Sequence, residues 1–183
     1  TKELTQNTNN RIIIIGNNEI KGKKVINNLN LQNLEFIKCD LSEKKEIKKL
    51  ADKLNSLKKI DILLNNAGAM FSKRELNSEN IEKTFALNHL SYFHLTFYLL
   101  KNLEKANKGK VINVASNAHK RYPLDLNDLE NRNDYNGWKS YCRSKLLNMY
   151  FTYNFNKKIN TNVTCNCLHP GFVNSNFGNN NIS

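Results

Sequence analysis

Methionine is missing from position 1, and the two that occur are Met70 and Met149. A primary translation product begins with Met, so this 183-residue chain reads as a fragment or a processed product. Glycine (7) and proline (2) are scarce, which excludes collagen-like and Pro-rich linker proteins. No apolar run is clean enough to span a bilayer. Residues 81–100 come nearest and are interrupted by Glu82, Lys83, Asn88, His89 and His94. No basic-then-apolar leader opens the chain. Cys39, Cys142, Cys165 and Cys167 show no C-x-x-C spacing, which argues against a zinc ribbon and for a reduced, intracellular compartment. Arginine is also rare, at five residues, although the net charge is +12. The lysines of 44–59 are interleaved with Glu43, Glu46 and Asp52. The charge therefore reads as a solvated lysine surface and not as a nucleic-acid face. Asparagine, by contrast, occupies 34 positions, so a single Asn in a motif carries little information.

At 39% hydrophobic and 24% charged residues, the chain has the core material of about one domain. Short apolar strands alternate with longer helical patterns. R-I-I-I-I (11–15) is a β-branched run expected of a strand buried on both faces. A modest helix is expected over 19–30 and a strand over 34–38. Ser42 is placed to cap a helix that lines up Ile47, Leu50, Ala51, Leu54 and Leu57 on one face. K-I-D-I-L-L (59–64) is the next strand, followed by a long, largely buried helix over 78–103. Strand 110–115, a polar loop over 121–138, a helix over 140–156 and strand 162–168 complete the series. This alternation predicts an α/β fold with a parallel sheet and helices on both faces, without a second domain.

Ligands of such sheets bind beyond the carboxyl ends of the strands. Asp40-Leu41 follows the second strand, Asn65-Asn66-Ala67-Gly68 the third, Ser116 the fourth and His169-Pro170-Gly171 the last. The helix after the polar loop carries Tyr141 and Lys145 at i, i+4, on one face. An ammonium beside a phenol stabilises the phenolate and lowers its pKa, which makes the tyrosine a usable acid or base near neutral pH. Y-x-x-x-K occurs three times, at Tyr135/Lys139, Tyr141/Lys145 and Tyr153/Lys157. Only the middle pair lies in the first turns of the helix, near the rim that holds Ser116. His89, His94 and His119 are scattered, without carboxylate or Cys partners at ligand spacing, so no metal site is expected. Phe93, Phe97 and Tyr98 read as packing residues, and Cys142 has no evident activating base.

Taken together, CDLSEKKEIKKLADKL, KIDILLNNAGAM, TFALNHLSYFHLT, KVINVASNAHK, YCRSKLLNMYFT and CLHPGFVNSNF resemble the short-chain dehydrogenase/reductase family, most closely its retinol-dehydrogenase-like branch. The segments run in the family's order over about residues 11–177. The resemblance implies a Rossmann-like doubly wound sheet and a nicotinamide cofactor, NADP or NAD. Tyr141 would be the acid/base, Lys145 its pKa-lowering and ribose-binding neighbour, and Ser116 the group that polarises the substrate oxygen. Asn88 would hold a relay water. Asn65, Ala67 and Gly68 would line the cofactor, Asp40 and Leu41 would meet its adenine side, and Pro170, Gly171, Val173 and Ser175 would border the nicotinamide. The implied substrate is a lipophilic alcohol or carbonyl compound. The resemblance also implies a possible homodimer through the long helix. Membrane attachment would come only through a segment outside the chain.

Two departures accompany this resemblance. Asn17 stands where the branch usually has an Arg that grips the 2′-phosphate of NADP. The glycine-rich phosphate loop is absent from the sequence. From Gly16 to Asp40 is 24 residues, which fits the family's second strand, second helix and third strand. Thr1-Lys2-Glu3-Leu4 then reads as the end of the first helix, and the domain as a single, incomplete one. Without a first, central strand, R-I-I-I-I and K-I-D-I-L-L lose their shared neighbour and expose buried-type edges. A non-catalytic remnant of such an enzyme is the alternative reading.

Overall fold

The computed structural model describes residues 9–29 and 31–171. The chain divides into two compact units, 1–41 and 42–183. Thr1–Leu4, Val173 and Ser175 lie outside the described residues.

The first unit contains strand β1 (Ile12–Gly16), helix α1 (Glu19–Leu29) and strand β2 (Leu34–Lys38). The strands pair in parallel, Ile12 opposite Leu34 and Gly16 opposite Lys38. Asn18 starts the crossover helix: its Oδ1 accepts the Lys21 N–H at 2.9 Å, satisfying an orphan donor of the first turn. The helix approaches the sheet at Gly22, where a Cβ would fall 2.4 Å from the Phe36 ring. Asn17 is exposed just beyond β1, and Asp40 and Leu41 follow β2.

The second unit begins with helix α2 (Lys44–Leu54) and strand β3 (Ile62–Asn65). A broken helical region follows: α3 (Lys83–Phe85), a π-helical turn (Ala86–Leu90), α4 (Ser91–Tyr98) and α5 (Leu100–Glu104). Strand β4 (Lys110–Val114), a 3₁₀ turn (Asn117–Lys120), helix α6 (Gly137–Lys158) and strand β5 (Thr164–Leu168) complete it. The three strands are parallel in the order β3-β4-β5, with Leu63 opposite Val111 and Val111 opposite Cys165. The central β4 buries Val111 completely. Ile47, Leu50, Ala51 and Leu54 of α2 are buried as expected, and Leu57, beyond the helix end, is half-buried.

The α/β class and the parallel pairing agree with the sequence reading. R-I-I-I-I and K-I-D-I-L-L fall in separate sheets, a two-stranded and a three-stranded one. On β3, Ile62 is 55% and Leu64 51% exposed, against the usual burial of parallel strands on both faces.

Three local expectations are corrected. Ser42 does not cap α2; Glu43 occupies that position without a side-chain cap bond. The Glu43 carboxylate instead accepts from the backbone N–H and hydroxyl of Ser78, and the Ser42 carbonyl accepts from Asn77 Nδ2. The long helix starts at Lys83 and not at Ser78. Asn80 sits in the left-handed region (φ 60°), and buried Glu82 caps the helix by accepting the Thr84 and Phe85 N–H groups. The same helix is then interrupted by the π turn and again at Leu99. Helix α6 extends beyond 140–156 at both ends, because Asn136 Oδ1 accepts the Lys139 N–H at 2.9 Å and closes an extra first turn.

Candidate active site

The carboxyl ends of β3 and β4 and the first turns of α6 converge on one set of polar groups. Ser116 leaves β4, and its Oγ caps the 3₁₀ turn by accepting the Ala118 N–H at 3.2 Å. The Ser116 hydroxyl lies beside the Tyr141 phenol and favours its ionised form. One helical turn on, Lys145 Nζ lies 5.6 Å from the Tyr141 ring centre and 5.7 Å from that of Tyr92. It donates to the Val114 carbonyl at 2.9 Å.

Asn88, at the centre of the π turn, is fully buried. Its Nδ2 donates to the Ala69 carbonyl (2.9 Å) and to Ser144 Oγ (3.0 Å), while its Oδ1 accepts the Ala69 N–H at 2.9 Å. The Tyr92 hydroxyl donates to the Ala67 carbonyl at 2.9 Å. The 65–69 segment is thus pinned from below by the helices that follow it. Asn65 turns its side chain into the core, where Nδ2 donates to Asn113 Oδ1 (2.9 Å) and Thr96 Oγ1 (3.3 Å); only the backbone of Asn65 is left for an outward role.

Burial sets the electrostatics. Lys145 is 3% exposed, and desolvation lowers its pKa from the ordinary 10.5 to about 8. Tyr141 is raised above its ordinary value, because burial outweighs the effect of the Ser116 hydroxyl. The expected depression of Tyr141 by Lys145 is therefore not found in this arrangement, in which Lys145 Nζ is engaged by Val114. Burial pushes the Cys142 thiol up to about 11, so this neighbour of Tyr141 is no nucleophile at neutral pH. All four cysteines are free.

The four expected groups Asn88, Ser116, Tyr141 and Lys145 thus meet in one region. Ala67 and Gly68 lie beside them. A Cβ on Gly68 would stand 3.3 Å from Asn88 Oδ1 and 3.4 Å from Lys145 Nζ. The bare glycine keeps the backbone close to an ammonium that has one carbonyl partner and two further protons. That donor set suits the vicinal hydroxyls of a ribose, so the residues present fit a nicotinamide nucleotide. Pro170 and Gly171 are exposed beyond β5, and Gly171 has φ 76°, a conformation that glycine adopts freely. Asn17, Asp40 and Leu41 belong to the first unit.

Several residues of the region escaped the motif reading. Trp138 stacks on Tyr141, with ring centres 5.7 Å apart and an interplanar angle of 22°. Met70 and Tyr122 pack against the cluster of Ala118, Tyr141 and Cys142. Buried Arg143 ties the polar loop to α6: it donates to the Pro123 carbonyl (2.9 Å) and to Asn131 Oδ1 (2.6 Å). Glu82, besides its capping role, accepts from the Tyr135 hydroxyl at 3.1 Å. A charged residue inside an otherwise buried helix face was the one available signal for Glu82. Arg143 offered none.

A family model described as short chain dehydrogenase matches residues 1–183. Human polyprenol dehydrogenase is 33% identical over 177 residues, which cover 90% of this chain and 53% of that protein. Human retinol dehydrogenase 12 is 37% identical over 140 residues, covering 75% of this chain and 44% of the relative. The chain thus spans about half the length of these relatives. Among solved structures, an uncharacterised protein from Mycobacterium paratuberculosis superposes with a TM-score of 0.80 at 28% identity, over 92% of this chain and 62% of that one. The closed form of serine dehydrogenase complexed with NADP+ gives a TM-score of 0.72 over 98% of this chain and 69% of its own; at 23% identity this likeness concerns the fold alone. No helix among the described residues is long and apolar enough to cross a membrane.

Proposed function

The chain belongs to the short-chain dehydrogenase family, and on that premise we propose that it interconverts an alcohol and a carbonyl compound, with Tyr141 as the acid/base. The observation that carries this reading is Tyr141 placed beside Ser116 with Lys145 one helical turn away, 5.6 Å from the phenol ring centre.

In the reductive direction Tyr141 gives its proton to the substrate oxygen, and in the oxidative direction it takes that proton back. Ser116 donates a hydrogen bond to the same oxygen and holds it opposite the phenol. Lys145, one helical turn away and engaged by the Val114 carbonyl, would position the nucleotide beside that phenol. Asn88 fixes the 67–69 segment and, through Ser144, the turn that carries Tyr141. A relay water on the Asn88 carbonyl would share that oxygen with Asn148 Nδ2, which donates to it at 2.8 Å; a carbonyl has a second lone pair for it.

When bound, NADP or NAD supplies or accepts the hydride. Lys145, Ala67, Gly68 and the backbone of Asn65 would hold its nicotinamide half, with Pro170 and Gly171 at the border. Asn17, Asp40 and Leu41 belong to the first unit, and an adenine role for them rests on the family resemblance alone. Asn17 carries no charge for a 2′-phosphate, so its neighbourhood decides between the two nucleotides. Trp138, Met70 and Tyr122 around Tyr141 favour an apolar substrate. The half-exposed Phe93, Phe97, Met149 and Tyr153 on α4 and α6 favour pairing of two copies.

Titration with NADPH and NADH, read by nicotinamide fluorescence, tests the reading. Saturable binding weakened by Lys145→Ala is expected. Turnover of an apolar aldehyde should fall about 10²–10⁴-fold in Tyr141→Phe with nucleotide affinity retained. Absence of saturable binding by the parent chain overturns the reading in favour of the non-catalytic alternative.

A further inference from the structure

The π turn at Ala86–Leu90 needs an explanation of its own. Lengthening the turn pairs the Ser91 N–H with the Ala86 carbonyl, five residues back, in place of the regular α-helical bond to the Leu87 carbonyl. Buried carbonyls must find other donors. Leu87 O takes the Ser91 hydroxyl at 2.6 Å. Asn88 O takes Asn148 Nδ2 at 2.8 Å, from α6. Asn148 is fully buried, so the orientation of its amide is decided by what meets its other end. That end is Oδ1, 2.9 Å from His89 Nδ1.

The proton count follows. An amide that gives its N–H₂ to Asn88 O presents an oxygen, which only accepts, to the imidazole. His89 must then carry its proton on Nδ1 and leave Nε2 bare. The ring is held for this by stacking on Phe85 (5.6 Å between centres, 27°) and by the edge contact with Phe151 (6.4 Å, 81°). Its burial disfavours the doubly protonated form.

We infer that His89 and Asn148 are a positioning pair: the Nδ1–H tautomer of His89 orients the Asn148 amide, which holds the π turn and thereby aims the Asn88 side chain. From Asn88 the connection divides. One arm holds both backbone polar groups of Ala69. The other passes through Ser144 Oγ, which donates to the Tyr141 carbonyl at 2.7 Å. Both sides of the proposed site are therefore set by an imidazole that touches neither substrate nor nucleotide. The inference rests on the reading of Asn88 and Tyr141 as site residues, while the tautomer itself does not.

Two measurements test it. In protein labelled with ¹⁵N at the imidazoles, one of the four histidines, identified by its loss in His89→Asn, should show the Nδ1–H tautomer. An Nε2–H form for His89 in the parent protein overturns the inference whatever the activity. The second compares His89→Leu with His89→Asn. Asparagine places an N–H₂ near the position of Nδ1, and leucine has no donor. Both remove the ring from Phe85, so both should lower Tm similarly. Leucine should reduce kcat about ten- to a hundredfold, the scale of a small misplacement of reacting groups, whereas asparagine should restore most of it. Equal losses of kcat in the two variants, or kcat following Tm, mean a packing role only and overturn the inference. A parent protein that turns over no carbonyl substrate with either nucleotide refutes the proposed reaction, and the tautomer then decides this inference alone.

Discussion

Lys145 sits where a charge is costly. It is nearly sealed from solvent and has one carbonyl and two aromatic faces for company. Its folded pKa of about 8 lies below the ordinary 10.5, so the unfolded chain binds this proton more tightly. The stability of the parent falls as pH drops from about 10.5 to about 8 and loses nothing more from this group below that. Lys145→Met should therefore raise Tm at neutral pH by roughly 2–6 °C while abolishing nucleotide binding. A Tm equal to or below that of the parent would mean that the Val114 and ring contacts offset the desolvation. His89 acts at lower pH. Burial holds its folded pKa below the ordinary 6.5, and His94 shifts in the same direction. Stability is intact above about pH 6.5 and falls as pH drops from there through the folded value. Urea midpoints should hold steady down to about pH 6.5 and decline below it, less steeply in His89→Asn.

The elements that carry the site are held by close backbone approaches. Helix α6 begins against the 70–72 segment, and a Cβ on Gly137 would lie 2.2 Å from the Phe71 carbonyl oxygen. Backbone on both sides cannot yield as a side-chain tip can. Gly137→Ala should cost about 1–3 kcal/mol, the scale of overpacking, and shift the helix start one turn before Tyr141. Chemical denaturation and kcat measured together check this: a stability loss without a change in kcat would mean that the shift is absorbed before Tyr141. Gly68→Ala is milder in stability, since its nearest neighbours are the ends of Asn88 and Lys145 at 3.3 and 3.4 Å. At this scale the sequence was a fair guide to strands and a poor one to helix ends. The apolar runs of β2 and β4 are local facts. The start of the long helix at Lys83 depends on Glu82, and its interruption depends on Asn148, 60 residues away from Asn88.

For the molecule as a whole, +12 charges coexist with exposed apolar side chains. Ile62 and Leu64 of β3, and Phe93 and Phe97 of α4, are each more than a third exposed. Charge repulsion opposes association and salt screens it. Self-association should therefore increase with ionic strength, and sedimentation should show the Phe93→Glu, Phe97→Glu double variant shifted toward monomer; an unchanged distribution removes α4 as the contact. By itself, the sequence determined the order of parallel strands and helices, because period and apolar runs are written along the chain. It also marked Ser116, Tyr141 and Lys145, because strand ends and the i, i+4 rule place them, whereas Asn88 came from the family resemblance alone. Only the tertiary structure decided which of the many asparagines matter. Asn65, Asn88, Asn113, Asn131 and Asn148 are buried and hydrogen-bonded, while Asn17 and Asn66 face solvent. It also decided that Lys145 is held by Val114, that Arg143 anchors the polar loop and that His89 orients Asn148. The partners in these contacts are separated by 31, 12 to 20 and 59 residues. Burial and hydrogen-bond satisfaction are properties of that assembled neighbourhood, which a local pattern of residue types does not encode.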